Sequence, residues 1–63
     1  MRLLTVKQLS ERINFKAKTI YDWVHRERIP YLKIEGSLRF DYDEVLRWLK
    51  NKRHKPKKIL GIL

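Results

Sequence analysis

The apolar residues of this 63-residue chain change their spacing at Pro30, and the change limits the folds that are open to it. Before Pro30 they recur every three or four residues, as in amphipathic helices, whereas from Tyr31 to Phe40 they alternate. Helical spacing returns after Asp41. Proline lacks an amide proton and disfavours helix at the preceding residue, so no helix crosses this point. The chain is therefore predicted to run helix, helix, hairpin, helix.

Two helices are predicted before the proline. The first follows Thr5, whose spacing to Gln8 is that of a capping box, and it runs to about Ile13. Asn14 tolerates the left-handed conformation of a turn, and Phe15 is expected to fill the gap between the two helices. A tight turn is thus predicted between them.

The second helix is predicted from about Ala17 to Arg26 and has two distinct faces. The side expected to pack carries Ala17, Ile20, Trp23 and Val24. The opposite side carries Lys18, Tyr21, Asp22, His25 and Arg26. One face is therefore expected to pack against the core, and the other is free to contact a partner.

The alternating segment predicts a small β-hairpin. One face is expected to carry Leu32, Ile34, Leu38 and Phe40, and the other Tyr31, Lys33 and Arg39. The loop would be formed by Glu35, Gly36 and Ser37, with the glycine that such loops need.

The last helix is predicted to begin at Asp41 and to run to about Lys52. The spacing of Asp41 to Glu44 is an acidic version of a capping box. Its apolar stripe consists of Tyr42, Val45, Leu46 and Leu49. Trp23 and Trp48 lie at or beside the apolar arcs of their helices, so both are expected in the core.

The charge is strongly positive: sixteen Lys and Arg face seven Asp and Glu, and the formal net charge is +9. So basic a domain predicts an acidic partner, most commonly nucleic acid. No apolar run approaches the roughly 20 residues of a membrane span, and the absence of cysteine is compatible with a reducing compartment. The expectation is a cytoplasmic protein that does not contact membranes.

The composition offers few of the side chains that catalysis needs. There is no cysteine nucleophile, and the two histidines, His25 and His54, lie far apart in the chain. His25 with scattered acids does not make a metal site, and the two glycines are too distant to form a phosphate-binding loop. Neither an enzyme nor a bound metal or cofactor is expected.

Two short helices joined by a tight turn, the second with a basic outer face, have the layout of a helix-turn-helix. A hairpin with Lys33 and Arg39 directed outward would act as its wing. The predicted fold class is mainly α with a small β-hairpin, a winged helix-turn-helix. The domain is expected to span residues 1–52, and residues 53–63 a basic and then apolar tail.

The run LLTVKQLSERINFKAKTIYDWVHRERIPYLKIEGSLRFDYDEVLRWL resembles the small winged-helix domains of the excisionase-like branch of the MerR superfamily. The matching elements are LTVKQLSERI, TIYDWV, IPYLKI, the RF after the hairpin tip, and the final RWL. The resemblance implies binding to double-stranded DNA. It further implies a recombination directionality factor that bends attachment-site DNA, or a small transcriptional regulator that binds DNA in the same way.

Carried over by position, the resemblance implies DNA contacts from two groups of residues. Those on the second helix are Lys16, Lys18, Thr19, Tyr21, Asp22, His25 and Arg26, and those on the wing are Lys33, Ser37 and Arg39. For Asp22 the alternative is an ion pair with Arg26 or Lys18. Lys16 stands where the family usually caps this helix with Ser or Thr, and Glu27 where it often has Gly.

The tail residues Lys55, Lys57 and Lys58 are interpreted as part of an arm that follows DNA phosphates, with simple disorder as the alternative. The role of the apolar ILGIL segment stays open. Further copies on adjacent sites and an integrase or recombinase are possible partners, in a prokaryotic, phage or mobile-element context. No ligand-sensing domain fits in the chain, so no small-molecule effector is expected. A basic RNA-binding or protein-interaction module is the alternative of another class, although a two-stranded hairpin offers little surface for stacking bases.

Overall fold

The computed structural model describes residues 1–54, which form three helices and a three-stranded sheet. In chain order the elements are β1 (Leu3–Leu4), α1 (Val6–Ile13), α2 (Ala17–His25), β2 (Leu32–Ile34), β3 (Ser37–Asp41) and α3 (Tyr42–Lys50). The sheet is antiparallel with the order β1-β3-β2. The prediction of a winged helix-turn-helix is confirmed. The sequence pattern missed β1, because two residues are too few to show alternation.

α1 begins where the capping box predicted it. The Thr5 hydroxyl accepts a hydrogen bond from the Gln8 amide at 3.1 Å, and the Thr5 amide donates to the Gln8 side chain at 3.0 Å. The helix ends at Asn14, which adopts a left-handed conformation with φ of 62° and donates its amide to the Ser10 carbonyl. Each end of this short helix is therefore capped by residues next to it in the chain.

A single apolar core draws its residues from five of the six elements, all except β2, and from the loop after α2. It consists of Leu4, Val6, Leu9, Ile20, Ile29, Phe40 and Val45. Phe40, Leu9, Ile20 and Val45 are the largest of the fully buried side chains. Burial of each such side chain contributes about 1.5–3 kcal/mol, so a domain of this size depends on very few of them.

α3 differs from its prediction in three details. Asp41 caps it by accepting a hydrogen bond from the Asp43 amide at 3.2 Å, and no capping box with Glu44 forms. Leu46 is 42% exposed, whereas Trp48 packs against the core. The helix ends at Lys50, since Asn51 already serves as its C-cap.

The prediction for Phe15 is wrong. Its side chain is 45% exposed, and its ring meets the edge of Trp23 with centroids 5.0 Å apart. The turn between the helices is instead held by a side chain of α1, since the Ser10 hydroxyl donates to the Phe15 carbonyl. Trp23 and Trp48 pack against the core as predicted, with ring centroids 5.5 Å apart, but both remain partly exposed.

The hairpin register corrects the predicted faces. Glu35 and Gly36 alone form the turn, both with positive φ (50° and 83°), as a type I′ turn requires. The three β2–β3 pairs are Leu32 with Arg39, Lys33 with Leu38, and Ile34 with Ser37. Because directly opposed residues share a face and the side-chain period is two, a loop shorter by one residue reverses one strand relative to the other.

The core face of the hairpin therefore carries Lys33 together with Leu38 and Phe40. Arg39 lies on the opposite face, beside Leu32 and Ile34, and Ile34 is 44% exposed. The expectation that Lys33 and Arg39 point the same way is wrong, as is the expectation that the four apolar residues share one face. In residues 1–54, no helix is long and apolar enough to cross a membrane.

Candidate nucleic-acid interface

α2 starts without a side-chain cap. Lys16 occupies the N-cap position in extended conformation, and its side chain forms no capping hydrogen bond, since an ammonium group has no acceptor. The Lys16 carbonyl accepts hydrogen bonds from the amides of Thr19 at 2.9 Å and Ile20 at 3.2 Å. The amides of the first turn of α2 are thus not occupied by a capping side chain. The cationic Lys16 side chain lies exposed beside them.

The outer face of α2 is exposed as the sequence predicted. Its exposed members are Lys18, Tyr21, Asp22, His25 and Arg26. Tyr21 is half exposed, although its ring is large and apolar. Thr19 is partly buried at the edge of this face. A polar surface with one exposed aromatic ring is suited to both hydrogen bonds and apolar contact.

Asp22 forms the ion pair with Arg26 that was the alternative to a direct DNA role. The Arg26 Nε lies 3.2 Å from a carboxylate oxygen of Asp22, one helical turn away. Both side chains remain more than half exposed, so the pair contributes only about 0–1 kcal/mol to stability. The pair orients the Arg26 guanidinium along the outer face of α2. The carboxylate of Asp22 also reduces the net positive charge of that face.

Glu27 terminates α2 in a backbone geometry that favours glycine. Its φ is 55°, its amide donates to the Val24 carbonyl at 3.0 Å, and the Arg28 amide donates to the Trp23 carbonyl at 2.8 Å. These two bonds form a Schellman motif with Glu27 as its left-handed residue. The helix therefore ends as it would with glycine, but with a side chain in a conformation that favours glycine.

The Glu27 side chain also ties the end of α2 to the hairpin. Its carboxylate accepts a hydrogen bond from the Tyr31 hydroxyl at 3.0 Å. This bond to Glu27, together with the carboxylate's negative charge, raises the pKa of Tyr31 above its ordinary value of 10.0. The contact fixes where β2 starts relative to α2.

A groove of about 410 Å³ separates α2 from the hairpin. It is lined by Tyr21, Val24, His25, Glu27, Tyr31, Lys33, Gly36 and Leu38. Lys33 thus joins the α2 residues Tyr21 and His25 along one side of the molecule. Arg39 does not, because it lies on the other face of the hairpin, where it is partly buried and donates to the Leu38 carbonyl at 2.8 Å.

The remaining predicted residues are placed as follows. Ser37 is exposed and follows the turn directly, opposite Ile34. Lys55, Lys57 and Lys58 lie outside the described residues. Within residues 1–54, no group of three His, Cys, Asp or Glu side chains could hold a metal ion.

Sequence reasoning did not assign Glu27 and Tyr31 to the groove. Glu35-Gly36 taken as a two-residue turn would have placed Tyr31, but only the glycine favours the positive φ that both positions need. That reading would have turned Tyr31 and Lys33 toward α2. The hydrogen bond between Glu27 and Tyr31 had no comparable signal, because it depends on the left-handed conformation of Glu27.

Comparison with protein families identifies this arrangement. The family model described as "Helix-turn-helix domain" matches residues 3–53. The chain belongs to this family. It is a DNA-binding helix-turn-helix protein, and the match covers every helix and strand of the described structure. Searches of the curated proteins and of the solved structures found no match.

Proposed function

We propose that this helix-turn-helix domain binds double-stranded DNA with sequence preference, placing the outer face of α2 in the major groove and the hairpin beside it as a wing. The supporting observation is that Lys33 and the exposed residues of α2 lie on one side of the molecule. A helix with its side chains is about 10–12 Å wide, which fits a major groove about 12 Å wide.

The proposed roles follow from position and chemistry. Lys18, Tyr21 and His25 would reach base edges or adjacent phosphates from α2, and Thr19 would contact the DNA backbone at the edge of that face. Lys16 lies at the helix N-terminus, where phosphates are favoured by free amides and by the helix dipole. Asp22 acts mainly through Arg26, whose guanidinium it orients toward a phosphate.

The wing contributes from both of its faces. Lys33 would follow the same groove as α2, and Ser37 would meet a phosphate at the turn. Arg39 would contact the backbone from the far side of the hairpin. The tail residues Lys55, Lys57 and Lys58 are proposed to add sequence-independent phosphate contacts. Residues 1–52 would be the folded DNA-binding unit, and residues 53–63 its tail.

For the biological role we propose an excisionase-like architectural factor, supported by the sequence resemblance over residues 3–49. Such a factor would bind adjacent sites as several copies, bend the DNA and cooperate with an integrase or recombinase. A small transcriptional regulator would use the same contacts and would not require the bend.

The salt dependence of binding tests the proposal. With about five phosphates contacted, log affinity for duplex DNA should fall against log salt concentration with a slope of about −4 to −5. A slope near −1, or equal affinity for single strands, would contradict binding in the major groove. Gel mobility of permuted fragments then tests the architectural role, since mobility that does not change with the position of the site would mean that the DNA is not bent.

A further inference from the structure

A second cleft, of about 450 Å³, opens on the side of α2 that faces α3. It is lined by Phe15, Trp23, Arg28, Trp48, Leu49 and Lys52. None of these residues lines the groove beside the hairpin. On α2, Trp23 points about 160° away from Tyr21 and from His25, so the cleft lies on the opposite flank of the helix. DNA held along the hairpin side leaves this cleft available.

The apolar side chains that line the cleft are partly exposed. Phe15 is 45% exposed, and Trp23, Trp48 and Leu49 are only partly buried. Concave surfaces lined mostly by apolar and aromatic side chains are the usual form of binding sites. Aromatic residues in partly formed pockets are also the usual anchors of protein interfaces.

The charged side chains that line the cleft have one sign. Arg28 and Lys52 are the charged side chains of its lining. From Val45 to His54 the chain has four Lys or Arg and no acid, and those four side chains are exposed. An apolar cleft with a cationic rim is complementary to a segment that carries apolar side chains between carboxylates.

The ring geometry disfavours a stacked nucleic-acid base. Trp23 meets Phe15 and Trp48 edge-on, at interplanar angles of 63° and 64°. The Lys52 ammonium lies 5.3 Å from the centre of the Trp48 ring and covers one of its faces. Base stacking needs an open ring face, whereas aliphatic side chains pack against ring edges as well.

We infer that the cleft between α2 and α3 is a docking site for an acidic, leucine-bearing segment of a partner protein. The apolar side chains of the segment contact Phe15, Trp23, Trp48 and Leu49. Its carboxylates pair with Arg28 and Lys52 at the rim. The domain can then hold DNA on one flank of α2 and a protein on the other.

Tryptophan fluorescence provides a direct test, because both tryptophans of the chain line this cleft. The probe is a short synthetic peptide in which leucines alternate with aspartates. The expected result is a blue shift of the emission that saturates with a dissociation constant on the order of 100 µM at low salt. Absence of a shift at millimolar peptide would overturn the inference.

Charge reversals test the rim. Arg28→Glu and Lys52→Glu should each weaken peptide binding about three- to tenfold, because each replaces an attraction by a repulsion. Lys7→Glu, an equal change of charge on the exposed side of α1, serves as the matched control and should change binding less than twofold. Equal effects of all three variants would show attraction to net charge only and would contradict a specific rim.

Other occupants give distinguishable results, and each would overturn the inference. If the protein's own residues 59–63 filled the cleft, deleting them would shift the emission without peptide and raise peptide affinity. A second copy would make the emission depend on protein concentration. An oligothymidine would bind with the same dependence on Arg28 and Lys52.

A saturating duplex should leave peptide binding unchanged, and displacement of the peptide would place the cleft on the DNA surface. DNA affinity, measured separately, shows whether the proposed DNA binding fails independently.

Discussion

Glu27 shows how a single residue keeps a helix-ending geometry at a cost in stability. A side chain in left-handed conformation costs about 1 kcal/mol relative to glycine, and the bond to Tyr31 offsets part of that cost. Glu27→Gly in a Tyr31→Phe background should therefore raise the free energy of unfolding by about 1 kcal/mol. Urea denaturation measures this change in the free energy of unfolding. Destabilisation in that background would mean that the Glu27 side chain has another stabilising contact.

The same hydrogen bond carries a pH dependence. The pKa of Tyr31 is raised, so the stability from its bond to Glu27 is present below pH 10 and is lost as the pH rises through the folded-state pKa. Absorbance titration of the phenols should show Tyr31 ionising above its ordinary pKa of 10.0. Glu27→Gln should bring that pKa back toward 10.0. An unchanged titration in Glu27→Gln would exclude the carboxylate as the cause.

At the scale of elements, the helices were predictable and the pairing of the strands was not. Capping residues and apolar spacing placed α1 and α2 within a residue of their observed ends. In the hairpin, apolar and polar residues alternate within each strand whether the loop has two residues or three. The register depends on whether Glu35 takes a positive φ, and glutamate carries no such preference. A difference of one residue in the length of the loop therefore decides which face of the hairpin carries Lys33.

The turn itself can be tested at Gly36. Its φ is +83°, and an added Cβ would meet no atom within 4 Å, so alanine there introduces backbone strain without a clash. Gly36→Ala should lower the free energy of unfolding by about 1 kcal/mol, measured by urea denaturation. Glu35→Gly, next to it, relieves a left-handed residue and should have the opposite sign. If both variants were neutral, the turn would not be of type I′.

For the whole molecule, the charge divides unequally along the chain. Residues 1–49 hold ten Lys and Arg against seven Asp and Glu, a net of +3, and residues 50–63 add six cations without an acid. Deleting residues 53–63 should therefore lower DNA affinity and flatten the salt slope while leaving the preferred sequence unchanged. Anisotropy titrations over a range of salt concentrations measure both. A changed sequence preference would place base contacts in the tail.

The central proposal, that α2 reads DNA sequence, is tested most directly by selecting bound duplexes from a random library. The wild-type chain, Tyr21→Ala and Lys18→Ala are compared, with Arg47→Ala on the exposed side of α3 as the control. We expect a defined preferred site for the wild type, loss or change of preference at a few positions for the two α2 variants, and the wild-type site for the control. An identical site from all four proteins, or no site at all, would contradict recognition by α2.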